Sequence, residues 1–485
     1  MKKQNNTFDA FLLAFMRVLT ILVNLCSTAI LSKNLSLDIY GTYASANLVI
    51  NLFTNITQLG LMDAVNYFYH HKHANRKDSI NTIFFLQFII GIVCGGVILG
   101  AQHQIAAYFS NPGLLALFGY LAFRPLLGNL FNSMMVLQVA VGRAKGVAVR
   151  HAVFALAKLI MVWITSFITK DIKTILITYL VLDCLSIIYF YLVFKKECFS
   201  INPFAPKLNL TGQILKFAVP MGIYVMTNTF SRDIDKLIVG YFESTETLAV
   251  YTNCATLLPF DIISSAFLTI IIPIMTRLVQ NGEYTRGLNV FKPYLKIGFI
   301  STSVIAGICI VLAEEVVLLL YGAKYIEGKI IFVLYTLVDV VKFAGVTIVL
   351  TAKGYTKKLM GISFVALVSN AVLNVLFYWL FGLLGPAIAT VIVTLGTTVW
   401  LLFVSMKVLQ ARLSNLLSWK SLGRIVARLV IVISLCAALY AVTNVLALHY
   451  LVVLVVCGSI TCTVALLLYG KELLEAFRRL NKEQI

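Results

Sequence analysis

Charge is what this sequence lacks most. Asp, Glu, Lys and Arg together make up only 12% of its 485 residues. A water-soluble chain of that size would carry about twice that share, so a soluble globular protein is excluded. Acids are scarcer still, 20 against 39 basic residues, for a formal net charge of +19. Basicity of this kind can serve nucleic acid. Here no basic stripe with interleaved aromatics and no RNA-binding signature accompanies it. The 9 cysteines form neither a CxxC pair nor a disulfide-like framework. Most sit inside apolar runs, where a thiol behaves as a small hydrophobe. There is no phosphate-gripping loop, because around Gly328-Lys329 neither the first glycine nor a Ser/Thr falls at the required spacing. GxSxG, HExxH and paired extramembrane carboxylates are also missing. Loops between apolar runs stay under about 20 residues, which leaves no room for a catalytic domain. His70-His71-x-His73 lies in a basic loop, and no metal site is expected there.

What the chain has is apolar length. Hydrophobic residues reach 60% and mean hydropathy is +0.92. Uncharged runs of about 20 residues recur, each able to cross roughly 30 Å of hydrocarbon. Backbone groups there must bond within the protein, so spans are helices or closed barrels. A barrel would alternate apolar and polar residues. These runs do not, so the expected class is an all-α polytopic membrane protein of about fourteen transmembrane helices. The spans fall near 9–31, 41–62, 81–101, 114–138, 148–168, 174–194, 212–231, 247–272, 295–313, 330–350, 359–380, 384–406, 425–445 and 450–470. The first, after Lys2 and Lys3, is too long for a signal-peptide core and is read as retained. Basic loop residues segregate, 25 to one side and 7 to the other. The positive-inside rule then puts both termini in the cytoplasm of a multi-pass inner-membrane protein.

An internal repeat is visible. Ser36-Leu37-Asp38-Ile39-Tyr40-Gly41-Thr42-Tyr43 matches Ser244-Thr245-Glu246-Thr247-Leu248-Ala249-Val250-Tyr251 at an offset of 208. Val136-Leu137-Gln138, Gly142 and Lys145 match Val349-Leu350, Gly354 and Lys357, 212 apart by the glycines. An even number of spans separates the copies, so both halves share one orientation. Two six-helix lobes about an axis along the membrane normal are expected. They are 1–200 and 212–410, joined by a polar hinge linker at 201–211. Two further helices and a cytoplasmic tail occupy 411–485.

Four motifs carry a family resemblance. They are Leu37-Asp38-Ile39-Tyr40-Gly41-Thr42-Tyr43; Arg232-Asp233-Ile234-Asp235-Lys236-Leu237-Ile238-Val239-Gly240; Leu320-Tyr321-Gly322-Ala323-Lys324-Tyr325; and Asn370-Ala371-Val372-Leu373-Asn374 followed by Gly382-Leu383-Leu384-Gly385-Pro386-Ala387-Ile388-Ala389-Thr390. In order and spacing the set resembles Wzx-type polysaccharide transporters of the multidrug/oligosaccharidyl-lipid/polysaccharide exporter (MOP) superfamily. Pro386 departs from the pattern, standing where a small residue is usual, and predicts a kinked turn. The resemblance implies two lobes around a central cavity and a gating element on the outer face at Arg232, Asp235 and Lys236. It also implies a job: flipping undecaprenyl-pyrophosphate-linked oligosaccharide by alternating access for capsule, exopolysaccharide or O-antigen synthesis. A polysaccharide polymerase and a chain-length regulator are the implied partners. A lipid II flippase and a cation-coupled small-molecule exporter are the alternatives within the superfamily. A membrane-embedded polymerase or ligase, the alternative of another class, would need a large outer loop.

Seven ionisable residues lie deep in spans, where each calls for a partner or a wet cavity. Arg17, Arg124, Lys158 and Asp183 fall in the first half; Asp261, Asp339 and Lys342 fall in the second. Setting one cation against Asp183 leaves two positive charges in the first half, which suits a diphosphate that arginine can hold in bidentate fashion. Arg17, Arg124, Lys158 and Lys342 are therefore the candidate substrate-binding cations, with snorkelling or helix-to-helix pairing as the structural alternative. Asp339 and Lys342, three apart, can pair on one helix face. Asp261, between Pro259 and Pro273, sits where a proline frees backbone carbonyls. With Asp183 and Asp339 it is a candidate for coupling to H⁺ or Na⁺. No other cofactor is expected.

Overall fold

A membrane interior offers backbone groups no water, so each crossing segment must close its own hydrogen bonds. The computed structural model of the chain obeys this rule. Among its described residues (6–70, 75–197, 199–260, 262–342, 345–412, 414, 416 and 419–482) regular structure is helical throughout. Nine stretches of them are long and apolar enough to cross a membrane, and Val18–Asn34 and Ile271–Gln280 are shorter apolar helices. The protein is a multi-pass α-helical membrane protein. All the stretches expected to span fall on helix, four of them with an interruption.

By internal contacts the chain forms two compact units, Met1–Thr252 and Asn253–Ile485. The first contains α1 (Asn6–Asn34), α2 (Leu37–Gln58), α3 (Leu61–His70), α4 (Arg76–Gly100), α5 (Gln102–Tyr108), α6 (Phe118–Ala140), α7 (Ala144–Ile168), α8 (Ile172–Glu197), α9 (Thr211–Phe242) and most of α10 (Thr245–Cys254). Phe68, Phe84, Leu137, Phe190, Phe194 and Ile214 form part of one buried cluster among these helices. Helix α1 lies along α7, where Asn34 Nδ2 donates to Ser166 Oγ at 3.1 Å. The polar stretch before α9, read as a hinge, is anchored to the first two turns of α4. Asn202 N–H donates to Asn81 Oδ1 at 2.9 Å, Lys207 N–H donates to Thr82 Oγ1 at 3.0 Å, and Lys207 Nζ lies 2.5 Å from Asp78.

The second unit holds α11 (Ile262–Gln280), α12 (Tyr284–Val311), α13 (Ala313–Leu320), α14 (Lys329–Val341), α15 (Ile348–Ala352), α16 (Thr356–Phe381), α17 (Gly385–Val408), α18 (Trp419–Val445) and α19 (Tyr450–Lys482). The residues after the last expected span continue α19 as helix to Lys482. Helices α10 and α11 are separated by the stretch containing Pro259, and α14 and α15 by the turn at Gly345 (φ +94°). Pro386 lies at the N-terminal end of α17 and not in its interior. It stands in the first turn of α17, where the missing N–H would have had no helical acceptor. The close approach beside it is made by Gly385, since a Cβ there would lie 2.0 Å from the Phe377 carbonyl oxygen.

Both sequence matches become the same local structure twice. Ser36 caps α2 by accepting from Ile39 N–H at 3.4 Å, and Ser244 accepts from Thr247 N–H at 3.2 Å before α10. An acid, Asp38 or Glu246, follows in the first turn, where the helix dipole favours it. Gly142 and Gly354 both take positive φ, +89° and +75°. Each is followed by a residue whose N–H reaches back five positions, Arg143 to Gln138 and Tyr355 to Leu350. Helix C-termini close in this way when glycine supplies the left-handed residue.

The two capped segments touch inside the first unit. A Cβ on Gly41 would lie 2.0 Å from the Thr245 carbonyl oxygen, whereas one on Gly458 would meet nothing within 4 Å. Gly41→Ala should therefore lower the thermal unfolding midpoint and the folded yield in detergent, by an overpacking cost of about 1–3 kcal/mol. Gly458→Ala, gaining only helix propensity, should leave both unchanged or raised.

Candidate functional site

An aspartate inside an apolar helix is tolerated only with a cation close by. Asp183 lies about 17 Å from the start of α8 at 1.5 Å per residue, and its side chain is 6% exposed. One oxygen lies 3.2 Å from Arg124 Nη1 on α6, and the other accepts from Lys158 Nζ on α7. The expectation that Asp183 would take a single cation is thus corrected. A carboxylate has two oxygens, and here each holds one. The cluster keeps a net charge of +1. Arg124 and Lys158 retain 25% and 29% of their side-chain surface open, so both have donors left for a further anion.

Tyrosines surround this cluster. Tyr120, one turn before Arg124 on α6, stands beside it, and Tyr43 on α2 stands beside Tyr179 on α8. Lys158 Nζ lies 5.8 Å from the centre of the Tyr179 ring. Next to them Asn129 Nδ2 donates to Thr57 Oγ1 at 2.7 Å, joining α6 to α2. Gly128 leaves room for the guanidinium, because a Cβ there would lie 3.2 Å from Arg124 Nη1. The arrangement is a cationic cluster in the interior of four helices, rimmed by hydroxyls. It suits an anion with several acceptor oxygens.

The other expected site residues are dispersed. Arg17 is on α1, with its side chain outside the described residues, and Asp261 lies outside them too, as do His71 and His73. Among the described residues no three His, Cys, Asp or Glu side chains are grouped to hold a metal ion. Asp339, in the last turn of α14, accepts from the Leu258 N–H at 3.0 Å. It so satisfies the backbone at the α10–α11 break. Lys342 ends α14 with an exposed side chain. The motif at Arg232, Asp235 and Lys236 continues α9 as helix. Buried Asp235 accepts from Tyr251 Oη at 3.1 Å, and Lys236 Nζ donates to the Arg232 carbonyl at 3.2 Å and lies 3.7 Å from Asp233.

Sequence reasoning missed two features. Tyr43, noted in the sequence only as part of the first motif, belongs to the cluster around Arg124. Its place in the first motif was the available signal. The second unit holds a counterpart cluster, in which Glu472 on α19 lies 2.6 Å from Lys296 on α12 and 2.7 Å from Arg428 on α18. Lys296 and Arg428 were visible as charges within spans. Glu472 was assigned to the tail, so the trio was not assembled.

Comparison with known proteins bears on this geometry. A family model described as "Polysaccharide biosynthesis protein" matches residues 30–330, more than half of the chain. No curated protein matches the sequence. Several solved structures share its fold. The lipid II flippase MurJ, in an inward closed conformation, aligns with TM-score 0.70 at 13% identity, over 95% of this chain and 99% of that one. An inward-facing multidrug resistance MATE family transporter of the MOP superfamily aligns with TM-score 0.62 at 14% identity, over 81% and 94%. A MOP superfamily transporter from Pyrococcus furiosus, described as having a binding pocket of reverse polarity that suggests a different function, aligns with TM-score 0.54 at 12% identity, over 83% and 95%.

The shared carboxylate makes a prediction of its own. Asp183→Ala leaves two interior cations without an anion and should cost about 3–5 kcal/mol, as breaking a buried pair does. Adding Lys158→Met should recover part of that loss. Thermal unfolding of the single and double variants in detergent measures both effects. Equal losses in the two would show that the residues are not coupled.

Proposed function

The chain belongs to the polysaccharide biosynthesis protein family, the Wzx-type branch of the MOP superfamily, and on that premise we propose that it flips a polyprenyl-pyrophosphate-linked oligosaccharide between leaflets. It is a transporter and not an enzyme. The observation that carries the proposed substrate is the cluster of Arg124, Lys158 and Asp183, with net charge +1 and both cations partly open. A diphosphate adds acceptor oxygens to cations already positioned, so little side-chain ordering is needed on binding. Arginine offers a fork of donors matched to phosphate oxygens. Undecaprenyl pyrophosphate is the lipid carrier in this reading. The sugar-bearing head would cross through the protein while the lipid chain stays in hydrocarbon. Both chain termini would lie in the cytoplasm of a bacterial inner membrane.

Alternating access is the mechanism this fold supports, since its relatives are described in both inward-facing and outward-facing conformations. Coupling to H⁺ or Na⁺ would draw on Asp261 or Asp339, and Arg232, Asp235 and Lys236 would gate the outer side. The lipid II alternative gains nothing from the MurJ likeness, which at 13% identity speaks for the fold alone. An exporter of cationic small molecules is less compatible with a cluster whose net charge is positive.

The test is transport in proteoliposomes containing a polyprenyl-pyrophosphate oligosaccharide, read by lectin access to the newly exposed sugar. Arg124→Gln and Lys158→Gln should each slow flipping by roughly tenfold or more, the value of a lost charged hydrogen bond. Arg124→Lys should retain part of the rate. Unchanged flipping in both glutamine variants, at normal folded levels, would remove the diphosphate role.

A further inference from the structure

Helices α16 and α17 form an antiparallel hairpin whose outer side carries a groove that the transport reading does not use. Its volume is about 560 Å³. Gly361, Ile362 and Val365 line it from α16, and Trp400, Val404 and Val408 line it from α17. Gly361 makes the groove deep, because a Cβ there would meet nothing within 4 Å. At one end the wall changes character. Tyr355, Lys358 and Lys407 close it, and Lys358 Nζ lies 4.5 Å from the centre of the Tyr355 ring.

The two lysines come from opposite ends of the hairpin, one near the start of α16 and one near the end of α17. The antiparallel course brings them to the same membrane face. Both are exposed, and no ion pair joins either to a carboxylate among the described residues. Residues 356–408 contain no Asp or Glu at all. An anion that paired with them would therefore come from outside the hairpin. An apolar trough in a membrane-spanning helix pair, lined in part by a tryptophan and ending in two cations and a tyrosine, has the profile of a phospholipid. Hydrocarbon fits the trough, a phosphate fits the cations, and aromatic rings favour the interface between them. A peptide would bring unsatisfied backbone groups into hydrocarbon, and a free phosphate would leave the trough unfilled.

We propose that this groove binds one acidic phospholipid of the bilayer, with an acyl chain along Gly361, Val365 and Val404 and its phosphate between Lys358 and Lys407. Positive-inside orientation makes the leaflet concerned the cytoplasmic one. The inference needs only a membrane-embedded hairpin and stands apart from the proposed substrate.

Native mass spectrometry of the full-length protein tests it. The protein is released from nanodiscs of phosphatidylcholine alone or with phosphatidylglycerol, and the lipid retained is identified. Phosphatidylglycerol should be retained over phosphatidylcholine. Lys358→Gln with Lys407→Gln should weaken that retention roughly thirtyfold, about fivefold for each cation held near an anionic surface. Lys358→Arg with Lys407→Arg should keep it, and Gly361→Leu should reduce it with no change of charge. Thermal midpoints in phosphatidylcholine nanodiscs check folding. Where the glutamine pair unfolds, Gly361→Leu and the arginine pair decide. Equal retention of the two lipids, retention untouched by Gly361→Leu, or capture of a polyprenyl phosphate but not phosphatidylglycerol would each overturn the proposal.

Discussion

An ionised side chain deep in a helix bundle dictates which helix faces turn toward one another, because hydrocarbon gives it no other way to keep its charge. Asp183 shows how far one group can reach. It holds α6 through Arg124 and α7 through Lys158, and its own helix supplies the third wall. Glu472 does the same for α12, α18 and α19 in the other unit. Each trio places an acid between a lysine and an arginine from different helices. Each leaves one positive charge in excess. The two acids stand in different environments. Asp183 is mid-helix among tyrosines, whereas Glu472 lies near the C-terminal end of α19. Both trios leave their cations partly open, and the second ties the last two helices to the rest of their unit.

Backbone groups obey the same constraint where helices break. The interruption between α10 and α11 frees N–H groups, and the Asp339 carboxylate takes one of them from Leu258. That role was hidden in the sequence, where Asp339 drew attention as a charge three residues from Lys342 and as a candidate for ion coupling. The polar linker before α9 likewise looked loose on composition. The first turns of α4 supply Asp78, Asn81 and Thr82 to hold it. A run of Asn, Pro and Lys indicates solvent exposure but says nothing of what lies beside it.

Much of the fold was legible because the bilayer reduces the possibilities. Apolar length alone points to helices, and the repeat at Ser36 and Ser244 was readable because capping demands the same residue types wherever it occurs. Gly142 and Gly354 were legible for a related reason, since few residues adopt positive φ without cost. Side-chain partnerships were harder to read. Arg124, Lys158 and Asp183 were each found by their depth, but the sharing of one carboxylate depends on how three helices rotate. Uniformly apolar helices carry little rotational signal. Tyr43 was missed on the same account, and Glu472 because α19 outlasts its apolar run. Pro386 was read as a disturbance, when its position in the first turn of α17 made it compatible with the helix.

The contact of Gly41 with Thr245 joins two positions from the paired halves of one duplicated pattern. Two separate half-length chains related by a twofold axis would make such a contact twice, once in each direction. In a single fused chain the two copies are free to diverge. The position equivalent to Gly41 is Ala249, and the position equivalent to Thr245 is Leu37. The methyl group that the Thr245 carbonyl denies to Gly41 is thus present at the matching position of the second segment.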